Sequence, residues 1–287
     1  MKSTENRAGY FFASPREPQL FKNTTWMFRV YCFRLVWRLL IFTAILAVYI
    51  FSDDFIGAFT GFRLFQRFNA IHLLWSVLMG GMIVHLLPRP KVSMSELKSR
   101  EYTYAEPKES FDRLALLEYV QGANLRAWKV MLVWLTFNAV FGALYLLHVI
   151  SEAELILLSM FYFLSDLVCM MIFCPFQSYI MKNRCCVNCR IFDWGHFMMY
   201  TPMLFIKSFF SWSLFFMACV VLLRWEIVYA RHPERFWFGS NEVLRCENCK
   251  DRMCAIKKPY LPKERDPAPS GARGGEGADG TRTVDTP

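Results

Sequence analysis

The sequence predicts an all-α fold, a polytopic bundle of about five transmembrane helices. Hydrophobic residues make up 55% of the chain and aromatic residues 17%. The apolar residues form long runs, whereas the charged residues, 20% of the total, lie mainly between those runs. Runs of this length are typical of membrane-spanning helices. A soluble helix or strand would instead alternate apolar and polar residues.

The net charge of +9 also fits a membrane protein. Lys and Arg flank the apolar runs, where they set orientation and meet anionic headgroups, so nucleic acid is not indicated as a partner. They are concentrated before the first span, in the loop 89–126 and in the cysteine loop 182–192, whereas the alternate loops hold only Arg63 and Arg67. The carboxyl-terminal tail carries twelve more from Arg224 onward, but long tails follow the charge rule only weakly. The positive-inside rule therefore predicts a cytoplasmic N-terminus in a plasma or bacterial inner membrane.

Five apolar segments in the region 26–230 are long enough to be spans. Aspartates end the first, Pro88 ends the second, and Pro175 predicts a kink in the fourth. The third and fourth are joined by a very short turn, which predicts a helical hairpin. Residues 109–119 of the charged loop have the spacing of a short amphipathic helix. The five predicted spans are 35–51, 68–87, 127–150, 155–180 and 197–223.

The path of the last span decides the location of the carboxyl-terminal segment 231–258. One crossing would place this segment outside, whereas a segment that enters the membrane and returns, turning near Pro202 and Lys207, would keep it inside. At about 1.5 Å per residue the segment is sufficient for one crossing and short for two. The single crossing is therefore favoured. The tail 259–287 is rich in Gly, Pro and charge and is expected to be disordered.

Two cysteine clusters give the strongest functional signal. Each contains a Cys-x-x-Cys pair, a spacing that lets two thiolates hold one metal ion in a tight turn. Neighbouring cations, among them Arg184 and Arg190, would favour thiolates and offset the charge of a metal–thiolate centre. The clusters are Cys185, Cys186 and Cys189 in the loop, and Cys246, Cys249 and Cys254 in the carboxyl-terminal segment.

Four thiolates suit zinc and an iron–sulfur cluster equally well. We therefore expect a cysteine-ligated metal centre used in membrane electron transfer or redox sensing, with a redox protein or other subunits of a membrane complex as partners. With zinc, the same ligands would form a structural clamp. A disulfide or thiol-redox role is the alternative, and it gains support if the carboxyl-terminal cluster lies outside.

The histidines allow a different cofactor. His72 and His148 are predicted at similar depth near one membrane face, and His85 and His196 near the other. Two such pairs are what a di-haem b-type cytochrome needs. However, at about 100° per residue His72 and His85 fall roughly 140° apart on their helix, which argues against a shared core.

Two charges inside predicted spans suggest another class of function. Asp166 and Lys207 have compatible depths, and a charge in a membrane is costly unless it is paired, so an ion pair is expected. That pair would suit a transport or scaffold protein in which the cysteines only brace the fold. The sequence contains no Walker A loop, Gly-x-Ser-x-Gly or His-Glu-x-x-His motif, which argues against nucleotide-driven and standard hydrolase chemistry and leaves enzymatic activity undecided.

Overall fold

The computed structural model describes residues 26–51, 70–88, 93–107, 111–183 and 185–251. The polar tail 1–25, the end of the cysteine segment from residue 252 and the tail 259–287 lie outside these ranges. All regular secondary structure in the described residues is helical, which confirms the all-α prediction. The α-helices are α1 Trp26–Phe51, α2 Ala70–Leu86, α3 Met94–Leu97, α4 Arg113–Leu146, α5 Glu152–Met171, α6 Gly195–Tyr200 and α7 Phe209–Arg231.

Four of these helices are long and apolar enough to cross a membrane, namely α1, α4, α5 and α7. Helix α2 is apolar but shorter. The predicted number of five spans is therefore matched in part, with α2 falling below the length of the other four.

Helix α4 joins two segments that the sequence analysis separates. Asp112 begins the helix by accepting a hydrogen bond from the Leu114 N–H at 2.8 Å. The helix then continues for 34 residues, so the predicted amphipathic helix 109–119 and the predicted third span are largely one rod. The turn that follows uses a positive φ of 57° at His148 and a capping box at Ser151 and Glu154 to start α5.

The fourth predicted span ends early. Helix α5 stops at Met171, and Phe176–Ile180 forms a separate π-helical turn. Pro175 accounts for the interruption, because it lacks an N–H and disfavours helical geometry at the residue before it. The fourth predicted span is therefore interrupted before Pro175 and is not one kinked helix.

The last apolar segment differs most from the prediction. In place of one span at 197–223, the chain forms α6, a 3-10 turn at Thr201–Phe205 that begins around Pro202, an extended link, and then α7. The indole N–H of Trp225 donates to the Arg190 carbonyl at 2.9 Å, and Phe197 contacts Phe215 halfway along. Residues 190–208 thus run antiparallel to α7, so the segment folds back on itself and is not the one continuous helix that the sequence analysis favoured.

This break packs Phe205 directly against α4. A Cβ at Gly142 would lie 2.2 Å from the Phe205 ring, whereas a Cβ at Gly81 would meet nothing within 4 Å. The ring therefore requires glycine at position 142.

Gly142→Ala is expected to destabilise the protein by about 1–3 kcal/mol, because overpacking forces the ring or the helix to move. Thermal unfolding of the purified protein in detergent measures this effect. Gly81→Ala is the matched control and should leave the melting temperature nearly unchanged. Equal melting temperatures for the two variants would contradict the packing described.

Candidate functional site

Three segments meet on one face of the bundle and form a cap, which we define as residues 93–107, 185–194 and 232–251. Met94, Val187 and Leu244 pack together as its small core. The Met94 N–H donates to the Asp251 carboxylate at 2.9 Å, and the Glu242 N–H donates to the Ala105 carbonyl at 2.9 Å. The cap therefore brings the cysteine loop and the carboxyl-terminal segment to the same side of the molecule.

Lys98 holds the cysteine loop in place through hydrogen bonds to its backbone. Its side chain is 2% exposed, and its ammonium group donates to the carbonyls of Val187 and Cys189 at 2.6 Å each. The rings of Trp225 and Phe236 lie 5.3 and 5.7 Å from the same nitrogen. Burial lowers the pKa of Lys98 to about 8, although the nearby thiols of Cys189 and Cys185 oppose that shift.

Arg190 anchors the other end of the loop. Its guanidinium donates two hydrogen bonds to the Glu226 carboxylate and stacks on the Tyr229 ring at 3.6 Å. It also donates to the Asn124 amide oxygen at 3.3 Å. Arg190 is thus paired with Glu226, and its role beside a metal–thiolate centre stays a prediction. Arg184 lies outside the described residues.

Both Cys-x-x-Cys pairs form tight turns. The Cys189 N–H donates to the Cys186 carbonyl at 3.1 Å, and the Cys249 N–H donates to the Cys246 carbonyl at 3.3 Å. Cys185, Cys186 and Cys249 line one small cavity of about 20 Å³, together with Tyr31, Ser95, Met170, Val187, Phe192 and Asp251. A space of this size holds about one water molecule or one ion.

The other predicted ligands lie apart from this cavity. Cys189 is buried against the cluster of Ala127, Val130 and Trp194, and burial raises the pKa of its thiol to about 12. Cys246 is exposed, and Cys254 lies outside the described residues. No two of the described cysteines are joined by a disulfide, and no three sulfur atoms in the described ranges lie within 4.8 Å of one another.

A second group of ligating side chains lies where α2 ends and α6 begins. His85 Nε2 is 2.7 Å from the Asp193 carboxylate, and the rings of His85 and His196 are 5.1 Å apart. Burial alone would raise the pKa of Asp193, but the hydrogen bond with His85 and the charges of His85, His196 and Arg224 hold it below its usual value. Asp193 was not a predicted ligand, although its three-residue spacing from His196 was a usable signal.

The four predicted haem ligands lie in different surroundings. His85 and His196 are in direct ring contact, which leaves no gap for a porphyrin between them. The ring of His72 packs edge-on against Phe210 at 5.3 Å, and His148 is exposed at the turn after α4. Within the described residues, the structure does not bring His72 and His148 into contact.

Asp166 has a different partner from the predicted one. Its carboxylate accepts a hydrogen bond from Arg38 of α1 at 2.8 Å. Gly195 allows this approach, since a Cβ there would lie 2.6 Å from the Asp166 carboxylate. Lys207 is exposed in the irregular link before α7. The expected Asp166–Lys207 pair is therefore replaced by an Arg38–Asp166 pair between α1 and α5.

Comparison of the chain with protein-family models, with curated proteins and with solved structures finds no match.

Proposed function

We propose that this chain is an integral membrane protein whose cap faces the cytoplasm. Support comes from the four long apolar helices and from the apolar side chains that their outer surfaces expose. On α4, for example, Trp128 is 72% and Leu132 67% exposed, which in water would be a large unfavourable surface. The ends of α2 and α7 that carry His85 and Glu226 lie at the cap, next to segments rich in Lys and Arg.

We further propose that the cap binds a single zinc ion through thiolates. The observation that carries this proposal is the cavity lined by Cys185, Cys186 and Cys249. Cys249 belongs to a segment far along the chain from the two loop cysteines. Cys246 or Cys254, in the same segment as Cys249, would supply the fourth ligand. The small cavity favours one ion over an iron–sulfur cluster, which needs a larger space. The ion would clamp the cysteine loop to the carboxyl-terminal segment.

Such a clamp also provides a means of redox sensing. Oxidation of the zinc-bound thiolates to a disulfide by a cellular disulfide or peroxide would remove two ligands and release the ion. The contacts between the two segments, such as the packing of Met94, Val187 and Leu244, would then lack the metal bridge. Transport through Asp166 has weaker support, because that carboxylate is already paired with Arg38.

Metal analysis of the purified protein tests the clamp. Cys186→Ser and Cys249→Ser should each lose about one equivalent of zinc relative to wild type, since each removes a ligand. Cys219→Ser, on α7 and away from the cap, is the matched control and should keep it. Retention of zinc by both cap variants would overturn the proposal. Iron with acid-labile sulfide and a brown colour would replace the clamp by an electron-transfer centre.

A further inference from the structure

His85, Asp193 and His196 form a compact donor set that the thiolate site does not use. Their ligating atoms all lie within 4.8 Å of one another, and all three side chains are partly buried, with His85 13% and Asp193 10% exposed. His85 lies at the end of α2, whereas Asp193 and His196 lie in the segment that begins at Phe192 and runs beside α7. The donor set therefore depends on the fold and not on one local turn.

The distances are close to those of a metal site. Bonds of about 2.0–2.2 Å to imidazole nitrogen and carboxylate oxygen put neighbouring ligand atoms roughly 3.3 Å apart in a tetrahedron. His85 Nε2 and the Asp193 oxygen are 2.7 Å apart, so a small separation would admit an ion between them. The two imidazoles already lie side by side with ring centroids 5.1 Å apart.

The surroundings of His85 hold it in the orientation that metal ligation needs. Its Nε2 faces Asp193, while its Nδ1 faces the Glu96 carboxylate at 3.6 Å. A ligating histidine usually turns its other ring nitrogen to such an acceptor, which fixes the ring and makes it a better ligand. Arg100 also donates to the backbone carbonyls of His85 and Leu87, which fixes the end of α2.

A simple ion pair explains this cluster less well. A His85–Asp193 pair needs no second imidazole, and two protonated imidazoles in contact would repel each other. At least one ring is therefore neutral and has a lone pair on nitrogen. Arg224 is the nearby cation that acts on Asp193, and Arg38 and Asp166 act on His196 from the other side.

We propose that His85, Asp193 and His196 bind one divalent first-row transition-metal ion. Two imidazoles and a carboxylate suit Zn²⁺, Fe²⁺, Co²⁺ and Ni²⁺ better than Mg²⁺ or Ca²⁺. Three protein ligands leave at least one coordination position open, as in metal sites that bind water or a substrate. This inference is independent of the thiolate clamp, since the two sites share no ligand.

Cobalt titration of the metal-free Cys186→Ser/Cys249→Ser protein tests the site separately from the clamp. One equivalent of Co²⁺ should bind, with weak visible bands and without a strong sulfur-to-cobalt charge-transfer band. His85→Gln and His196→Gln should weaken Co²⁺ binding by more than about 100-fold, and Glu96→Gln by about 10-fold, the lower end of the effect of an outer hydrogen-bond partner. His232→Gln, at a partly exposed histidine beside Glu234, is the matched control.

Thermal unfolding with and without Co²⁺ keeps the test valid if a variant is less stable. Bound metal should raise the melting temperature of the parent and of His232→Gln, but not of His85→Gln. The proposal is overturned if the parent binds no stoichiometric Co²⁺, or if His85→Gln and His196→Gln bind it as tightly as the parent does.

Discussion

Arg38→Met is expected to reduce the stability of the purified protein by about 2–3 kcal/mol, less than the cost of removing one partner of a fully buried ion pair, because this pair is only partly buried. Arg38 donates to Asp166 at 2.8 Å and to the Phe163 carbonyl at 2.6 Å, and it lies over the Phe163 ring. Without the guanidinium, the Asp166 carboxylate would remain between helices without its counter-charge. Thermal unfolding in detergent measures the loss.

The double variant Arg38→Met/Asp166→Leu separates the pair from its packing. It should recover most of the lost stability, because replacing both charges by apolar groups is often neutral or stabilising. Lys207→Met is the control, and we expect little change since Lys207 is exposed. If Lys207→Met costs as much as Arg38→Met, or if the double variant recovers nothing, the assignment of Arg38 as the partner of Asp166 fails.

Lys98→Met should destabilise the cap by about 2–4 kcal/mol. The substitution removes two hydrogen bonds from a charged donor and leaves the buried carbonyls of Val187 and Cys189 without it. Because those carbonyls belong to the cysteine loop, we expect the metal-free variant to label faster with a thiol reagent at Cys185 and Cys186. Lys129→Met, at an exposed lysine of α4, is the matched control and should change neither stability nor labelling.

The pH dependence of the Lys98 contribution has a definite sign. The folded protein lowers the pKa of Lys98 to about 8, whereas the unfolded chain keeps it near 10.5. Between these values the unfolded chain binds more protons, so stability relative to Lys98→Met should rise with pH and level off above the upper value. A relative stability that is constant or falls across this window would contradict the buried position of Lys98.

The helical character of the chain was predictable because it depends on the length of apolar runs. The turns at Cys186–Cys189 and Cys246–Cys249 were also predictable, since the spacing alone favours them. The partner of Asp166 was not. The comparison of depths along the spans selected Lys207 as the partner, but the break around Pro202 leaves Lys207 exposed, and Arg38 of α1 pairs with Asp166 instead.

The structure of the cap could not be predicted from the sequence, for a different reason. Lys98 is one of several cations in a charged loop, and no local pattern distinguishes a lysine that will be buried under aromatic rings. The approach of His85 to Asp193 depends on the path of residues 190–208, which follows from an interruption inside an apolar run. Composition predicts that residues 197–223 are apolar. It does not predict where the helix in this segment breaks, because the break depends on tertiary packing such as that of Phe205 on Gly142.

Helix α4 is about 51 Å long at 1.5 Å per residue, which exceeds the roughly 30 Å hydrocarbon thickness of a bilayer. Its first turns therefore stand above the proposed membrane, where Tyr119 stacks on Trp237 and Asn124 binds Arg190. One stiff rod thus connects lipid with the sulfur-bearing loop. If a change in the thickness of the proposed membrane altered the tilt of this helix, the cysteine loop, which contacts it through Arg190 and Asn124, would move with it.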